Sequence, residues 1–508
     1  MKGKRLLKII AAIVIGASMT FSLTACGTGS IAGDDTLVVA HGADAKTLDP
    51  HGTNDQPSSR VSKQIYDRLV EQTEEMEIVP GLAKEWKQLD NLTWEFKLRE
   101  GVKFHNGETL KASDVVFSLN RMKNAKSVSS IISSVDTITA TDDSTVIIKT
   151  KEPFAPLLAH LSHTAASILN EKAVEEAGEN YGQHPVGTGA YKFASWDAGS
   201  QINLEKNEDY FGEKGKMPKI VFRNVKEGTN RTIGLETGEI DIAYDIEPVD
   251  TKSVREHKQL QLIEEESLSY THITMNNKKE PFNDPRVRKA INYAVDKDAL
   301  IDAILYGSGV KANAPIGKNV FGYTDKAVNY DYDLEKAKEL LKEAGLENGF
   351  KTSIWTNDNP VRVQIAQIIQ ANLKDVGIDA EIISLEWGTF LERTARGEHD
   401  MSIGGWTTVT GDADYALYPL YHSSQHGGAG NRDFYSNKEV DKLLEDAKKS
   451  IDPVERKDLY EKAIIAIMDD VPELVLYYGK QNVGARKEVE GFKLHPAGHH
   501  NLSQVEKK

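Results

Sequence analysis

Residues 351–385, KTSIWTNDNPVRVQIAQIIQANLKDVGIDAEIISL, decide the fold class of this chain. Residues 351–355 and 378–385 are short apolar runs that predict strands, and residues 361–376 between them have the spacing of an amphipathic helix. Alternation of strands with helices is typical of a mainly parallel sheet covered by helices. The stretch therefore predicts an α/β protein.

The pattern continues on both sides of this stretch. Apolar spacing predicts helices over residues 284–306 (as a pair), 334–344, 438–450 and 453–470. Strands are predicted over residues 36–40, 94–98, 145–150 and 473–478. The 508 residues are too many for one core, and no sequence repeat or low-complexity block separates independent modules. We therefore expect two main lobes.

The first 26 residues predict export and attachment to a membrane. A basic start is followed by an apolar run over residues 9–19 and by the sequence LTAC, which ends at Cys26. These are the parts of a secretory signal, and the run is shorter than the ~18–20 residues that span a bilayer. Cys26 is the one cysteine of the chain, and the segment resembles a bacterial lipobox, in which that thiol is acylated. We expect a signal peptide over residues 1–25 and a flexible tether over residues 26–35, with a plain secretory signal as the alternative.

Charge and composition limit the classes of partner. Hydrophobic residues make up 39% of the chain and charged residues 27%, which is ordinary for a soluble globular protein. The formal net charge of −15 becomes more negative once the basic residues of the signal are removed. An acidic surface of this size argues against nucleic acid as a partner and favours a well-solvated monomer.

Sequence motifs for enzyme chemistry are missing. The chain has no Gly-x-Ser-x-Gly, no His-Glu-x-x-His and no Gly-x-x-x-x-Gly-Lys-Ser/Thr. A single cysteine excludes thiolate metal sites and cysteine redox pairs. Histidines remain as candidate metal ligands in three groups, which are His160 with His163, His422 with His426, and His495 with His499 and His500. Solvated loop histidines are the simpler interpretation, so the sequence predicts no metal, no cofactor and no enzyme activity.

Two tryptophans mark a candidate ligand pocket. Trp387 follows a predicted strand, and Trp406 lies between two glycines and the polar stretch TTVTGDADY over residues 407–415. Aromatic walls beside a few hydroxyl and carboxylate groups suit a small-molecule site. Core packing is the alternative, but the polar run beside Trp406 is hard to bury without partners.

Eight segments, taken in order, resemble family 5 of the extracellular solute-binding proteins, which are the receptors of dipeptide, oligopeptide, glutathione and nickel ABC importers. They are VPGLAKEW (79–86), WEFKLR (94–99), GVKFHNG (101–107), ASDVVF (112–117), VGTGAY (186–191), NEDYF (207–211), FNDPRVRKAI (282–291) and YAVD (293–296). The resemblance extends over about residues 37–505. Each segment alone is weak, but their order behind a lipobox is specific.

The resemblance implies an α/β fold of the periplasmic-binding-protein type (type II, cluster C), in which two lobes close on a ligand. An extra subdomain is inserted in the N-terminal lobe. In this chain the resemblance assigns residues 36–84 and 179–277 to lobe I, with the insertion over residues 85–178 between them. Lobe II is expected over residues 278–478. Residues 479–508 are expected to return to lobe I and to form the tail. Hinge strands are expected near residues 274–277 and 479–483.

The charged ligand anchors of the family do not all carry over. Dipeptide and oligopeptide receptors have an aspartate for the peptide amine three residues after the loop tryptophan, where this chain has Val409. Dipeptide receptors also have an arginine for the carboxylate, and Thr356 stands at that position here. An unpaired buried charge costs several kcal/mol, so the usual dipeptide clamp is not expected.

The loop is instead similar to that of glutathione receptors, which implies other anchors. Asp412 or Asp414 would meet a ligand amine, and Arg362 or Arg393 a carboxylate. The aromatic walls and loop hydroxyls complete the predicted ligand-binding set, which is Asn54, Arg362, Trp387, Trp406, Thr407, Thr408, Asp412 and Asp414.

The predicted function is that of a receptor anchored by a lipid on Cys26 at the extracytoplasmic face of a bacterial membrane. It would capture a small peptide, with glutathione as one candidate, and deliver it to the transmembrane subunits of an ABC permease. A nickel or metallophore receptor of the same fold is the alternative within the family. A secreted hydrolase or a surface adhesion protein is the alternative from another class, against which the missing catalytic motifs and repeats count.

Overall fold

The structure, a computed structural model, describes residues 35–427 and 430–508. The predicted signal peptide, Cys26 and the tether up to residue 34 lie outside the described residues. The strands are β1 Thr36–His41, β2 Val70–Gln72, β3 Ile78–Pro80, β4 Ala83–Asp90, β5 Thr93–Leu98, β6 Val135–Asp142, β7 Thr145–Thr150, β8 Tyr191–Asp197, β9 Gln201–Lys206, β10 Lys219–Asn224, β11 Ile242–Ala243, β12 Leu260–Met275, β13 Gly309–Lys311, β14 Lys351–Asn357, β15 Asp379–Leu385, β16 Met401–Thr407, β17 Glu473–Arg486, β18 Val489–Glu490 and β19 Glu506–Lys507. The helices are α1 Gln56–Ile65, α2 Ala112–Asn124, α3 Leu157–Leu161, α4 Glu171–Ala177, α5 Gly228–Thr237, α6 Thr251–Glu256, α7 Pro285–Ala294, α8 Lys297–Leu305, α9 Leu334–Glu343, α10 Pro360–Lys374, α11 Trp387–Ala395, α12 Asp414–Tyr421, α13 Lys438–Lys449 and α14 Pro453–Asp470.

One mixed sheet runs through both halves of the molecule. Its strand order is β15-β14-β16-β12-β17-β11-β1-β10-β9-β8, and β13 pairs with β17. β14 pairs in parallel with β15 and β16, and β1 with β10 and β11. The long central strands β12 and β17 are antiparallel, because the chain enters one half through β12 and returns through β17. The sheet is therefore mixed rather than mainly parallel, while the predicted α/β class is confirmed.

The register between β12 and β17 breaks near the middle of both strands. Residues 267–269 of β12 stand opposite Gly479 without regular pairing. There the Ser267 hydroxyl donates to the carbonyl oxygen of Gly479 at 2.9 Å. A bulge of this kind bends a strand. On one side of it lie β1 and β8–β11, which we call lobe I, and on the other lie β13–β16, which we call lobe II.

A second sheet, in the order β4-β5-β7-β6, packs against α2 and has its own hydrophobic core. The buried side chains of this core extend along the sequence from Leu69 to Ile168. We call this body the inserted subdomain, because β1 precedes it and β8 follows it in lobe I. The resemblance predicts an insertion over residues 85–178, and these domain boundaries stay predictions.

The stretch that decides the fold class forms β14, α10 and β15, as predicted. Asn359 begins α10 by accepting the N–H of Arg362 at 3.1 Å, and Pro360 occupies the first turn, where a missing N–H costs nothing. The apolar face of α10 packs in the core of lobe II through Ile365 and Ile369. Helices α9, α13 and α14 also form at their predicted positions. No helix among the described residues combines the length and the apolar character that crossing a membrane requires.

Candidate ligand-binding cleft

A cavity of about 670 Å³ lies between the inserted subdomain and lobe II. Its walls include Ile131, Ser134, Glu152, Phe154 and His160 from the inserted subdomain, and Trp406, Asp414, Tyr415, Tyr418 and Lys448 from lobe II. We call it the main cavity. Its volume falls in the range of about 300–1,000 Å³ that is usual for small-molecule sites.

The end of β16 positions one aromatic wall. The indole N–H of Trp406 donates to the carbonyl oxygen of Tyr415 at 3.0 Å, and the two rings lie 5.9 Å apart. Burial raises the pKa of the Tyr415 hydroxyl, and a hydrogen bond from Asn54 of lobe I opposes that rise. Trp406, Tyr415 and Asn54 therefore meet at the boundary between the two lobes.

The loop from β16 to α12 is also held by the hairpin of β2 and β3. Gly411 has a φ of +68°, and a Cβ at this position would lie 2.2 Å from the Cε of Met76. Gln72 donates its amide N–H to the carbonyl oxygen of Thr410 at 3.1 Å. Gln72 ends β2 and Met76 lies in the turn to β3, so this hairpin contacts the loop directly.

Asp414, the first residue of α12, is a buried carboxylate in the wall of the main cavity. Its side chain is 8% exposed, and its Oδ1 has no hydrogen-bond partner in the part of the chain that the structure describes. Burial, followed by the charge of Asp412, raises the pKa of Asp414 to about 7. A buried acceptor without a partner costs about 1–3 kcal/mol, which a ligand donor would recover.

Asp412, two residues earlier, has its partner within the protein. Arg456 donates through Nη2 to both carboxylate oxygens of Asp412, at 2.8 and 2.9 Å. Both side chains are buried and line a second cavity of about 320 Å³. Removing one member of a buried ion pair is strongly destabilising, so Asp412 is tied to Arg456. Of the two aspartates predicted to meet an amine, Asp414 is the one with unused acceptor capacity.

His160, in α3, faces the main cavity from the inserted subdomain. Its Nδ1 lies 2.5 Å from the carbonyl oxygen of Ile131, and its Nε2 has no partner among the residues described. The ring meets Phe154 edge-on at a centroid distance of 5.0 Å and Tyr415 at 6.0 Å. Burial lowers the pKa of His160 below its usual value, so the imidazole is neutral at physiological pH.

Lys448, in α13, joins lobe II to the inserted subdomain. Its ammonium lies 3.5 Å from the Glu152 carboxylate, 4.6 Å from the centroid of Tyr418 and 5.6 Å from that of Phe154. Its carbonyl oxygen accepts the N–H of Ala155 at 3.0 Å. Phe154 lines the main cavity and Ala155 the second cavity, so these contacts lie between the two.

Trp387 and Arg362 form a pair away from these two cavities. The Arg362 guanidinium lies 5.6 Å from the Trp387 ring centroid and donates to Asn357 Oδ1 at 3.3 Å, so it faces a ring and an amide rather than a carboxylate. Trp387 is 46% exposed. Arg393, by contrast, is paired with Glu398 at 2.7 Å. Of the two predicted arginines, Arg362 is the one that keeps its charge available.

The two predicted threonines occupy different surroundings. Thr407 is exposed and lines a third cavity of about 410 Å³, near the ion pair of Arg60 with Asp245 at 2.7 Å. Thr408 is buried, and its N–H donates to the carbonyl oxygen of Leu268 at 2.9 Å. Thr408 therefore stabilises the loop and does not line the main cavity.

The three groups of histidines do not assemble into a metal centre. Within residues 35–427 and 430–508, no group of three or more histidine, cysteine, aspartate or glutamate side chains is arranged to hold a metal ion. His422 lies 2.8 Å from the Ser424 hydroxyl through Nδ1. The His500 Nδ1 accepts the N–H of His495 at 3.0 Å. His422 and His500 thus each have a partner at Nδ1 within the protein.

The structure brings Trp406 and Asp414 together at the main cavity, with Asn54 beside them, and places the other predicted ligand-binding residues elsewhere. The sequence analysis missed Tyr418 and Lys448, because no local pattern distinguishes them from other residues of amphipathic helices. The sequence analysis considered His160 as a metal ligand, with a solvated loop histidine as the simpler interpretation, whereas the structure buries it in α3.

Comparison with known proteins fits this architecture. Residues 77–428 match the family described as bacterial extracellular solute-binding proteins, family 5. The chain belongs to this family. A dipeptide-binding protein of Escherichia coli (strain K12) is 33% identical to this family 5 member over 513 residues, which is 92% of this chain and 96% of the relative. The glutathione-binding protein GsiB of Pectobacterium atrosepticum is 34% identical over 473 residues, or 90% and 91% of the two chains.

A solved family 5 structure gives the same picture. The ABC transporter-associated periplasmic binding protein DppA from Helicobacter pylori, in complex with the peptide STSA, superposes with a TM-score of 0.79 at 33% identity. The match covers 93% of this chain and 98% of that chain. The predicted family and fold are thereby confirmed. As a family 5 member, the chain is an extracellular solute-binding protein, and this is a family of receptors rather than enzymes.

Proposed function

We propose that this protein captures short peptides in the main cavity and delivers them to the transmembrane subunits of an ABC permease. A lipid on Cys26 holds it, as a monomer, on the extracytoplasmic face of the bacterial membrane. Relatives named for dipeptide and glutathione binding, and a similar structure with a bound peptide, support a peptide ligand.

The observation that carries the proposal is the buried Asp414 carboxylate, with one oxygen lacking a partner among the described residues, in a cavity walled by aromatic rings. A protonated amine supplies the donor and the opposite charge that this oxygen lacks, and the rings of Trp406 and Tyr415 cover the apolar part of a ligand. Asp414 thus takes the role that dipeptide and oligopeptide receptors of the family give to an aspartate at the position of Val409.

Arg362 and Trp387 serve the opposite charge of the ligand. Among the described residues the Arg362 guanidinium faces a ring and an amide and forms no ion pair, and Trp387 presents an exposed aromatic face. Glutathione, with two carboxylates and one amine, is the first candidate because the loop over residues 405–415 is similar to that of glutathione receptors.

Closure of the two lobes on the ligand accompanies capture. The register break at residues 267–269 opposite Gly479 is a bend between the lobes, and it supports a hinge at this point of the crossing strands. The predicted lobe limits at residues 277/278 and 478/479 stay predictions, and on β12 the bend at residues 267–269 lies before the first of them. Ligand binding drives closure only if the closed form binds the ligand better than the open form.

A thermal-shift screen of the soluble form that starts at residue 27 tests the ligand class. The screen contains glutathione, tri-alanine, hexa-alanine, and nickel with and without histidine. Binding to the folded state adds about 2.7 kcal/mol at a hundredfold excess over Kd, so a peptide ligand raises the melting temperature clearly. A shift with nickel–histidine and none with peptides would overturn the proposal in favour of a metal receptor.

Matched variants connect the screen to the site. Asp414→Asn is expected to abolish the peptide-induced shift, whereas Arg393→Gln, which removes an arginine paired with Glu398, is expected to leave it unchanged. Lipid anchoring is tested separately on the full chain, where Cys26→Ser should move the protein from the membrane fraction to the soluble fraction. Retention of that variant in the membrane would refute the anchor.

A further inference from the structure

We propose that His160 of the inserted subdomain is a second acceptor for the ligand's ammonium group, so that each half of the molecule contributes one acceptor to the same amine. The inference rests on the proposed peptide-binding function and adds to it a specificity-determining residue. It also gives the inserted subdomain a direct role in ligand recognition.

The hydrogen bond to Ile131 fixes which nitrogen of His160 accepts. A carbonyl oxygen can only accept, so at 2.5 Å the Nδ1 of His160 carries the proton and donates it to Ile131. In a neutral imidazole the other nitrogen, Nε2, then has a lone pair and no proton. Burial lowers the pKa of His160, which keeps the ring in this neutral form. His160 therefore has an unpaired acceptor atom in a residue that lines the main cavity.

The unpaired atoms of this part of the cavity select a donor group. Asp414 Oδ1 and His160 Nε2 are both buried, both belong to residues that line the main cavity, and neither has a partner among the described residues. Tyr415, the neighbour of Asp414, contacts the His160 ring. Two acceptors and one negative charge match an ammonium, which has three N–H donors and no acceptor. A carboxylate would be repelled, and a blocked amide would offer one donor and no charge.

Lys448 does not fill this role itself. Its ammonium is engaged by Glu152 and by the faces of Tyr418 and Phe154. These contacts show that aromatic walls of the main cavity stabilise a cation, as expected for cation–π interactions. The acceptors on Asp414 and His160 are thus available for a second cation, which the ligand brings.

The two acceptors belong to bodies that are separated when the cleft opens. His160 and Ile131 lie in the inserted subdomain, whose core includes Leu157 and Leu161 of the same helix α3. Asp414 begins α12 of lobe II. An ammonium bound by both favours the closed form over the open form, which is the differential affinity that closure requires. Recognition of the amine and closure of the cleft are therefore one event.

Calorimetric titration with free and N-acetylated peptides tests this inference. The probes are tri-alanine, glutathione and their N-acetyl forms, with the soluble wild-type protein. Acetylation removes the charge of the amine and most of its N–H donors. Because hydrogen bonds to charged groups are strong, the acetylated peptides should bind about a hundredfold more weakly or worse. X-ray scattering should show compaction with a free peptide and none with its acetylated form.

Variants at position 160 separate recognition from folding. His160→Phe keeps a ring of similar size and removes the acceptor, so free peptides should bind about ten- to a hundredfold more weakly, while the penalty for acetylation becomes smaller. His160→Gln retains a carbonyl acceptor and should keep part of the affinity. His184→Gln, the same change at an exposed histidine that does not line the main cavity, should leave both values unchanged.

The outcomes distinguish this inference from the proposed function. Equal binding of free and acetylated peptides, or a normal acetylation penalty in His160→Phe, overturns the role of His160 while peptide capture stands. Failure of all free peptides to bind overturns both. If His160→Phe does not fold, as judged by circular dichroism, the wild-type acetylation series and His160→Gln decide the question.

Discussion

Replacing Asp414 by asparagine is expected to stabilise the unliganded protein at neutral pH, although it removes the charge that a peptide amine requires. Burial raises the pKa of Asp414 from 3.8 to about 7, and no counter-charge compensates the ionised form fully. Each pKa unit corresponds to 1.36 kcal/mol, so ionising this carboxyl in the folded state costs at most about 4 kcal/mol. Asparagine has a similar shape and does not ionise.

The sign of the pH dependence follows from proton binding. Between pH 3.8 and about 7 the folded protein holds a proton on Asp414 that the unfolded chain has lost. The free energy of unfolding of the wild type therefore falls with rising pH across this window and levels off above it. The Asp414→Asn variant does not undergo this loss. Its free energy of unfolding should therefore equal that of the wild type at pH 4, exceed it by a growing amount up to pH 7, and exceed it by a constant amount from pH 7 to pH 8.

Differential scanning calorimetry of both proteins at pH 4 to 8, without ligand, measures the effect. Asp412→Asn is the matched control, because the same chemical change two residues away leaves Arg456 buried without its counter-charge. That variant should be destabilised by about 3–5 kcal/mol at neutral pH. The reasoning would be refuted if Asp414→Asn melted at or below the wild-type temperature at pH 8, or if both variants shifted in the same direction.

Other expected outcomes concern the walls of the cleft. Trp406→Ala should abolish peptide binding in calorimetric titration and leave the circular dichroism spectrum unchanged, and normal binding would remove this ring from the site. Gly411→Ala places a side chain at positive φ and against Met76, which costs about 1–2 kcal/mol; scattering should then show weaker closure with ligand, and unchanged closure would contradict the contact. Wild-type affinity for an amine should fall below pH 7 as Asp414 takes up a proton. Lys448→Met removes a charge that lowers the Asp414 pKa, so this loss of affinity should begin at a higher pH, and an unshifted profile would count against it.

Local sequence pattern predicted the elements that local interactions determine. Residues 351–385 formed their two strands and helix because the apolar spacing and the Asn359 cap act within a few residues. Apart from the hinge strand expected near residues 274–277, strand β12 was not predicted, since its sequence LQLIEEESLSYTHITM includes three successive glutamates and no sustained alternation. Its pairing with β17 depends on residues 199 to 226 positions away. The mixed character of the sheet has the same cause.

The candidate site was predictable to the extent that it follows the family's motifs. The loop over residues 405–415 placed Trp406 and Asp414 at the main cavity. The choice between Asp412 and Asp414 was left open, because the partner of Asp412 is an arginine 44 positions later. His160 gave no signal of its own, since the tautomer that makes it an acceptor depends on the carbonyl of Ile131 in the folded chain.

The side-by-side passage of β12 and β17 has a consequence for protein engineering. The chain enters lobe II through β12 and leaves it through β17, which is the neighbouring strand. The first and last residues of lobe II therefore lie close together. Segments whose ends lie close together are the ones that tolerate transplantation into another chain. Exchanging the portion between the β12 and β17 bulges with that of a relative would transfer one wall of the cleft, including the loop of Trp406 and Asp414, as a unit. Two junctions, one in β12 and one in β17, would therefore suffice to build chimeric receptors that combine the specificities of two relatives.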